Sequence, residues 1–204
     1  PLNALGIHLQ VLKRKLRNAD DTVVRESTAH FVDIAGQELQ RLDSIVKNFL
    51  NAVRPTQLSM TPVNLQELLV SALGFLEPEL KAKDITVAMD FPDLVPAISG
   101  DAGQLTQAFF NLLKNAMQAM QNGGKIQVTC TVDDVFVLLR FADNGPGLTK
   151  EQLSHLMEPY YTTKSAGHGL GLLIVDRIVR SHGGDLAIDG KPGGGAAFTP
   201  SFPR

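Results

Sequence analysis

Residues 100–142 read GDAGQLTQAFFNLLKNAMQAMQNGGKIQVTCTVDDVFVLLRFA, and this stretch decides the fold. Its first half predicts one long helix that continues through Met120 and ends at Asn122-Gly123-Gly124, because glycine commonly follows the last helical turn. Its second half alternates apolar and polar residues over 125–132 and again over 135–142, which predicts a β-hairpin. A helix followed by an antiparallel strand pair indicates a domain that mixes helices with a sheet.

The flanking sequence predicts further helices and strands in no strict βαβ order. By period and length, helices are expected at 65–83 with Asn64 as the cap, near 150–157, and at 170–182. Strands are expected at 85–90, 185–189 and 196–202. Such a mixture predicts an α/β sandwich with a mixed sheet and helices on one face, and not a doubly wound fold.

The N-terminal residues carry two heptad seams, which indicate two long helices. The first seam is Leu2, Leu5, Leu9, Leu12 and Leu16, and the second is Val32, Ala35, Leu39, Leu42, Val46, Phe49 and Val53. The polar turn between them predicts an antiparallel hairpin. Pairing with a second copy would complete a four-helix bundle, so we expect a homodimer. Packing of the hairpin on its own second domain is the alternative.

The predicted organisation is α+β, with a helical hairpin at 1–54, a linker at 55–63 and a globular domain at 64–204. Arg54-Pro55 ends the second helix, because proline disfavours helix in the residue before it and cannot continue one. Because the chain starts at Pro1 without a methionine, it is expected to be a fragment of a longer protein. The sequence leaves open whether that longer protein is anchored in the inner membrane.

Composition excludes several classes of function. Charged residues make up 20% of the chain and the net charge is −2, so no basic field would draw it onto nucleic acid. No apolar stretch reaches the roughly 20 residues of a membrane span. The one cysteine, Cys130, excludes an internal disulfide and suits the reducing cytoplasm. We expect it to be a small buried residue in a strand.

Asn111 and Asn115 lie four residues apart on the predicted long helix, so both amides project from one helix face. Amide oxygens are hard ligands that suit Mg²⁺ when a nucleotide supplies phosphate oxygens, and Lys114 can contact a phosphate. Alone, a pair of asparagines on a helix is more often ordinary surface or capping polarity.

The run Asp143-Asn-Gly-Pro-Gly147 directly follows a predicted apolar strand. A carboxylate at a strand end can accept a hydrogen bond from the exocyclic amine of adenine. Gly145 and Gly147 let the backbone approach the ring closely. Alone, the same residues are strong turn formers and a plain turn is the simpler interpretation.

Two further clusters follow along the chain. In Glu158-Pro-Tyr-Tyr161-Thr162-Thr-Lys164, the aromatic residues can anchor a loop and the lysine can meet a phosphate; core tyrosines beside a surface lysine are the alternative. In Gly167-His168-Gly169-Leu170-Gly171-Leu172, the glycines can place N–H groups around a phosphate at the start of an apolar helix. A lone glycine triplet is a weak signal.

In this order, the four clusters resemble the N, G1, F and G2 boxes of sensor histidine kinases and of the wider gyrase–Hsp90–kinase–MutL (GHKL) ATPase superfamily. Pro1–Leu5 looks like the end of the kinase H box, and the flanks of the boxes agree as well, so the resemblance spans essentially the whole chain. The short loop at 149–166, which lacks an extra arginine, resembles that of nitrogen-regulator-type kinases more than that of osmosensor-type ones.

The resemblance implies a Bergerat ATP-binding fold that takes ATP and Mg²⁺. It assigns the metal to Asn115 and Asn111. It assigns ATP binding to Asn111, Lys114, Asn115, Asp143, Gly145, Gly147, Tyr161, Thr162, Lys164, Gly167, His168, Gly169, Leu170, Gly171 and Leu172.

The resemblance further implies that the γ-phosphate passes to a histidine on the hairpin and then to an aspartate of a response regulator. In the family pattern this histidine lies about five residues before Pro1, so we expect it outside this chain. His8 is in the wrong register for that role. His182 is expected as a cation at a helix C-terminus.

Two other functions remain in view. A GHKL-type ATPase or serine/threonine kinase is one, but the ATPases usually have glutamate where Asn111 stands, and the leucine seam argues against the serine kinase. The other is a docking or dimerisation module that binds no nucleotide. Several intact residues argue against it: Asn115, Asp143, Gly147, Gly169 and Gly171.

Overall fold

The computed structural model describes residues 11, 34–37, 58–120, 123–158, 161 and 169–204. The chain divides into two compact units, Pro1–Arg54 and Pro55–Arg204. In the first unit, the described residues 11 and 34–37 are helical, and Ala35 of the second predicted seam is buried. The rest of the two predicted heptad seams lies outside the described residues.

A five-stranded mixed sheet forms the centre of the second unit. In spatial order its strands are β2 (Ile85–Asp90), β4 (Gly124–Val132), β5 (Phe136–Asp143), β7 (Ala196–Pro203) and β6 (Leu186–Gly190). β2 runs parallel to β4, and the other neighbouring pairs are antiparallel. A separate two-stranded sheet joins β1 (Thr61–Val63) to β3 (Ile98–Gly100).

Alternation of apolar and polar residues gives the sheet two different faces. Ile126 and Val128 of β4 are buried and lie opposite Asp143 and Phe141 of β5, whereas Gln127 between them is exposed. A sheet patterned in this way packs its helices on the apolar face alone. The predicted α/β sandwich with a mixed sheet is therefore confirmed.

The helices of this unit are α1 (Leu65–Ala82), α2 (Ala102–Ala119), α3 (Lys150–His155) and α4 (Gly171–Ser181). α2 packs against both α1 and α4. Its buried residues recur at helical spacing, and the ring of Phe109 lies 5.7 Å from that of Phe141 and 6.4 Å from that of Phe202. Within the described part of the chain, no helix is both long enough and apolar enough to cross a membrane.

Side-chain caps fix where α1 and α2 begin. The Oδ1 atom of Asn64 accepts hydrogen bonds from the backbone N–H groups of Gln66 (3.0 Å) and Glu67 (3.3 Å). The Oδ1 atom of Asp101 accepts one from Gln104 N–H at 3.0 Å. Such caps satisfy amide groups that the first helical turn leaves unpaired. The predicted cap at Asn64 is confirmed, and the structure adds the cap at Asp101.

Strand β1 occupies the end of the stretch that the sequence predicts as a linker. Its three residues pair with Ile98–Gly100, so the strand connects the start of the unit to the residues just before α2. A run this short, with Pro62 at its centre, shows no periodicity. Its partner strand also lies far away in sequence, so no local pattern could have revealed the pairing.

His182 is the C-cap of α4 and is buried. Its Nε2 atom accepts a hydrogen bond from the backbone N–H of Asp101 at 2.9 Å. A nitrogen that accepts a hydrogen bond carries no proton, and so the expectation of a cationic histidine at this helix end is wrong.

Candidate functional site

The two predicted metal-binding asparagines lie one turn apart on α2, and both are half-buried. Lys114 between them is half-buried too, and its Nζ atom lies 5.5 Å from the centroid of the Phe110 ring. Such a contact between a cation and an aromatic face is favourable. The structure thus places the two amides on one helix face, and the Lys114 ammonium group against its own helix.

The amide of Asn111 is incomplete in its hydrogen bonding. Its Nδ2 atom is buried, and the described part of the structure gives it no hydrogen-bond partner. Leaving such a group unsatisfied costs about 1–3 kcal/mol, so a ligand that engages this amide would recover that loss. Rotation of the amide presents its oxygen instead of its nitrogen. An unsatisfied buried amide of this kind is consistent with a side chain that binds a ligand.

The two asparagines suit a metal ion whose other ligands are water molecules and phosphate oxygens. Within the described residues, no cluster of three or more histidine, cysteine, aspartate or glutamate side chains could hold a metal ion. Magnesium keeps several waters and binds through one or two protein ligands together with substrate phosphates. The amide oxygens of Asn111 and Asn115 are compatible with such a site, and they are not sufficient for a metal held by protein alone.

Asp143 ends strand β5 and is 9% exposed. Its Oδ1 atom accepts two backbone hydrogen bonds, from Gly145 N–H at 2.9 Å and from Ala196 N–H at 3.3 Å. Neutral donors on one carboxylate oxygen hold the side chain in a single orientation. The carboxylate is therefore fixed by the backbone of two separate segments.

The loop after Asp143 lies against the end of α2. A β-carbon added to Gly145 would lie 2.8 Å from Asp143 Oδ1 and 3.6 Å from the β-carbon of Ala119. Ala119 is one helical turn beyond Asn115. The loop that follows the carboxylate therefore lies against the same helix that carries the two asparagines. A depression of about 390 Å³ opens here, lined by Ala119, Met120, Gly123, Gly124, Asn144, Gly145 and Pro146.

A turn between β6 and β7 supports this loop, and the sequence analysis did not include it in the site. Gly193 N–H donates to Pro146 O at 2.7 Å. Gly147 and Gly195 both have positive φ (+74° and +77°), and a β-carbon at Gly195 would overlap the carbonyl oxygen of Asp143. The run of three glycines at 193–195 was the available signal, because such runs allow close backbone approach.

The start of α4 lies opposite Asn115. A β-carbon on Gly171, the first helical residue, would be 3.9 Å from both Nδ2 and Oδ1 of Asn115. Gly169 has φ +65°, and the buried Leu170 stands at the N-cap position without a side-chain cap. The first turn of α4 contains no acidic residue, so its amide groups can receive an anion. Leu172 is buried in the same turn.

Of the third cluster, the structure describes Glu158 and Tyr161. The backbone N–H of Tyr161 donates to Glu158 O at 3.2 Å, and its ring centroid lies 5.7 Å from that of His155. His155 itself is half-buried and bonds Glu158 through Nδ1 at 2.8 Å. The predicted phosphate contacts Thr162, Lys164, Gly167 and His168 lie outside the described residues.

Comparison with known proteins gives the chain clear relatives. Residues 100–204 match the family model described as "Histidine kinase-, DNA gyrase B-, and HSP90-like ATPase". Over 205 aligned residues the chain is 32% identical to Sporulation kinase A of Bacillus subtilis (strain 168), covering 100% of this chain and 32% of that protein. It is 34% identical to Sensor histidine kinase ZraS of Escherichia coli (strain K12), covering 83% of this chain and 37% of ZraS.

Solved structures show the same architecture. Full-length ShkA in complex with AMPPNP aligns with a TM-score of 0.73 and 27% identity, covering 94% of this chain and 42% of ShkA. A nucleotide-free catalytic domain of the histidine kinase ThkA aligns with a TM-score of 0.66 and 27% identity, covering 71% of this chain and 95% of that domain. The chain spans about a third of the length of the curated relatives it matches, at 32% and 37%.

Proposed function

This chain belongs to the histidine kinase-, DNA gyrase B- and HSP90-like ATPase family, and we propose that it is the ATP-binding catalytic core of a sensor histidine kinase. One observation carries the proposal. A β-carbon at Gly145 would contact both Oδ1 of Asp143 and Ala119 at the end of α2, and the start of α4 lies beside Asn115 one turn earlier. A carboxylate and an anion-receiving helix start therefore flank a single helix, as a purine nucleotide with phosphates requires.

In this proposal Asp143 accepts a hydrogen bond from the exocyclic amine of adenine. Gly145 and Gly147 let the loop approach the base, and the amide groups of Gly169, Leu170 and Gly171 receive the phosphates. Leu172 packs behind them in the core. Thr162, Lys164, Gly167, His168 and Tyr161 are proposed to complete the phosphate side, with Lys114 as a further cation.

Asn115 and Asn111 are the proposed magnesium ligands. Bound magnesium would neutralise charge that develops on the transferring phosphate. The contribution of the chain itself is to hold the amide oxygens on one rigid helix and to fix the phosphates by backbone donors. Positioning of this kind accounts for most of the catalysis in phosphoryl transfer.

The proposed acceptor of the phosphate is a histidine of the helical hairpin that precedes Pro1, and not His8. From there the phosphate passes to an aspartate of a response regulator in the cytoplasm. We further propose that the hairpin at 1–54 forms the homodimer, that 55–63 links it to the catalytic domain, and that 64–204 carries the nucleotide site. The support is the H-box resemblance of Pro1–Leu5 together with relatives named as sensor and sporulation kinases.

Calorimetry tests the nucleotide site. Asp143→Asn should abolish ATP binding, because Oδ1 already accepts two N–H groups and the new amide nitrogen would face the amine of adenine, donor against donor. The chain should stay folded by circular dichroism. Asp134→Asn, at an exposed turn position, is the control. Unchanged ATP affinity in Asp143→Asn would refute the adenine assignment.

The same measurement tests the metal ligands. Asn115→Ala should remove the dependence of ATP affinity on magnesium, while Gln118→Ala, exposed on the same helix, should keep it. A variant Asn115→Ala whose ATP affinity still rises with magnesium would contradict this role.

Phosphoryl transfer from γ-labelled ATP tests the reaction. The 204-residue chain alone should stay unlabelled, and a supplied hairpin that carries the upstream histidine should gain an acid-labile label. Label on His8 would overturn the assignment of the acceptor. Acid-stable label on a protein substrate would favour the serine kinase, and ATP hydrolysis without label would favour the ATPase.

A further inference from the structure

His182 connects the ends of the two helices that flank the proposed nucleotide site. Its Nε2 atom accepts the backbone N–H of Asp101, at the N-terminus of α2, at 2.9 Å. Its Nδ1 atom donates to Ile178 O, in the last turn of α4, at 2.7 Å. The ring therefore uses both nitrogens and is held as one neutral tautomer.

The imidazole ring is enclosed on several sides. His182 is 5% exposed, and its ring meets Phe202 of β7 edge to face, with centroids 6.4 Å apart. A β-carbon at Gly100 would lie 3.2 Å from Cδ2 of His182 and 2.6 Å from a methyl carbon of Leu105. Glycine at position 100 thus leaves room for the ring, and the ring has little freedom to take another position.

The other end of α4 faces the proposed metal ligand. His182 follows the C-terminus of α4 and bonds the N-terminus of α2, while Gly171 at the start of α4 lies near Asn115, farther along α2. The two packed helices therefore run in opposite directions. Because α4 has 11 residues, its ends are separated by about 16 Å at the usual rise per residue.

A rigid helix transmits axial displacement from one end to the other. If the contact at His182 is lost, α4 can shift along α2, because the buried residues of both helices are apolar and apolar packing is not directional. Its first turn would then move relative to Asn115. Asp101, at the other end of the contact, is itself fixed. Its side-chain Oδ2 accepts a hydrogen bond from Ser59 N–H and its Oδ1 accepts one from Gln104 N–H, both at 3.0 Å.

We propose that His182 is a positioning residue, which sets the axial position of α4 against α2 and thereby the distance between the Gly169–Gly171 backbone and Asn115. This role rests on the proposed function, because it concerns the phosphate side of that nucleotide site. The adenine side is held separately, by Asp143 and the turn at 193–195. Loss of the contact should therefore weaken triphosphate binding more than binding of the adenosine part.

Two near-isosteric substitutions separate this role from simple packing. In His182→Gln, the side-chain oxygen can replace Nε2 and keep the bond from Asp101 N–H. In His182→Asn, the amide nitrogen can replace Nδ1 and keep the local bond to Ile178 O, but nothing reaches Asp101. Val179→Ala, fully buried in the same helix, serves as a control that lowers stability without touching the contact.

Hydrogen exchange of the Asp101 amide tests the contact without any nucleotide. Exchange should be faster in His182→Asn than in Val179→Ala at matched stability, and His182→Gln should stay close to the wild type. Equal protection of Asp101 N–H in His182→Asn and in the wild type would overturn the proposal.

Binding of ATP and of AMP by calorimetry tests the consequence. The ratio of ATP to AMP affinity should fall on the order of tenfold in His182→Asn, the effect expected from about one lost hydrogen bond, and should be restored in His182→Gln. Equal weakening of both ligands, or an equal fall of the ratio in Val179→Ala, would overturn the positioning role. If the wild type bound no ATP, the proposed function would fail along with this role, whereas a failure of this role alone would leave ATP binding intact.

Discussion

At the scale of single residues, the orientation of Asp143 depends on glycines that lie far away in sequence. Gly195 passes so close to the Asp143 carbonyl that only a hydrogen atom fits, and the next amide, of Ala196, bonds the carboxylate. Gly193, two residues earlier, has a similar φ of +72° but no atom within 4 Å of an added β-carbon. Comparing substitutions at Gly193 and Gly195 therefore distinguishes the cost of a strained backbone from the cost of a steric clash.

Gly193→Ala should lower the free energy of unfolding by about 1–2 kcal/mol, the cost of a left-handed conformation with a side chain. Gly195→Ala should lose about 1–3 kcal/mol more, because the loop must move away from Asp143, and it should also weaken ATP binding. Urea denaturation and calorimetry measure the two effects. Equal losses in both variants would show that the Gly195 contact is unimportant.

At the scale of elements, the start of α2 depends on a charged cap. Hydrogen bonds from Gln104 N–H and then Ser59 N–H hold the pKa of Asp101 below its usual value. A lowered pKa in the folded state means that the carboxylate stabilises the fold above the unfolded-state value of about 3.9. That stabilisation is lost as the pH falls through the lower pKa of the folded state.

Asp101→Asn should therefore lower stability near neutral pH by about 1 kcal/mol. Asparagine can keep the helix cap on Gln104 N–H, but its amide nitrogen cannot accept the hydrogen bond from Ser59 N–H. It should lose less stability than the wild type on acidification from about pH 5 to about pH 3. Urea denaturation at both pH values gives the difference. Part of the acid sensitivity should remain, because hydrogen bonds from Phe136 and Val135 also lower the pKa of Asp133. An unchanged pH dependence would contradict this role of Asp101.

The elements that sequence predicts best are the long and strongly periodic ones. The long helix α2 and the hairpin of β4 and β5 occur within one or two residues of their predicted bounds. In both cases local periodicity and turn residues coincide with the final packing. The pairing of β1 with β3 was not predictable, because strands of three residues have too few positions for a period and depend on a distant partner.

At the scale of the whole molecule, the order of four clusters predicted the family, and the comparisons confirm it. The structure brings Asn115, Asp143 and Gly171 around α2. It adds the 193–195 turn and the contact of His182 with Asp101, which sequence did not predict. Both depend on contacts between segments that are distant along the chain, and local pattern carries no information about which backbone groups will meet.

Cys130 reports on opening of the whole domain. It is buried in β4 with its thiol pKa raised by burial, and the thiolate is the reactive form. Labelling by a thiol reagent should therefore require unfolding, and ATP at about 100 times its Kd should slow it about 100-fold, equivalent to about 2.7 kcal/mol. Asp143→Asn should show no such slowing. An ATP-independent labelling rate in the wild type would contradict the linkage.

At position 111, thermal stability and the proposed nucleotide chemistry make opposite demands, because the buried amide of Asn111 is unsatisfied. A leucine there would remove a buried donor that lacks a partner, and the resting protein should tolerate higher temperatures as a result. The same change would delete a group that the proposed chemistry uses. Selection for thermal stability without an assay of ATP binding is therefore expected to enrich inactive variants, and substitutions of Asn111 should be among the first to appear.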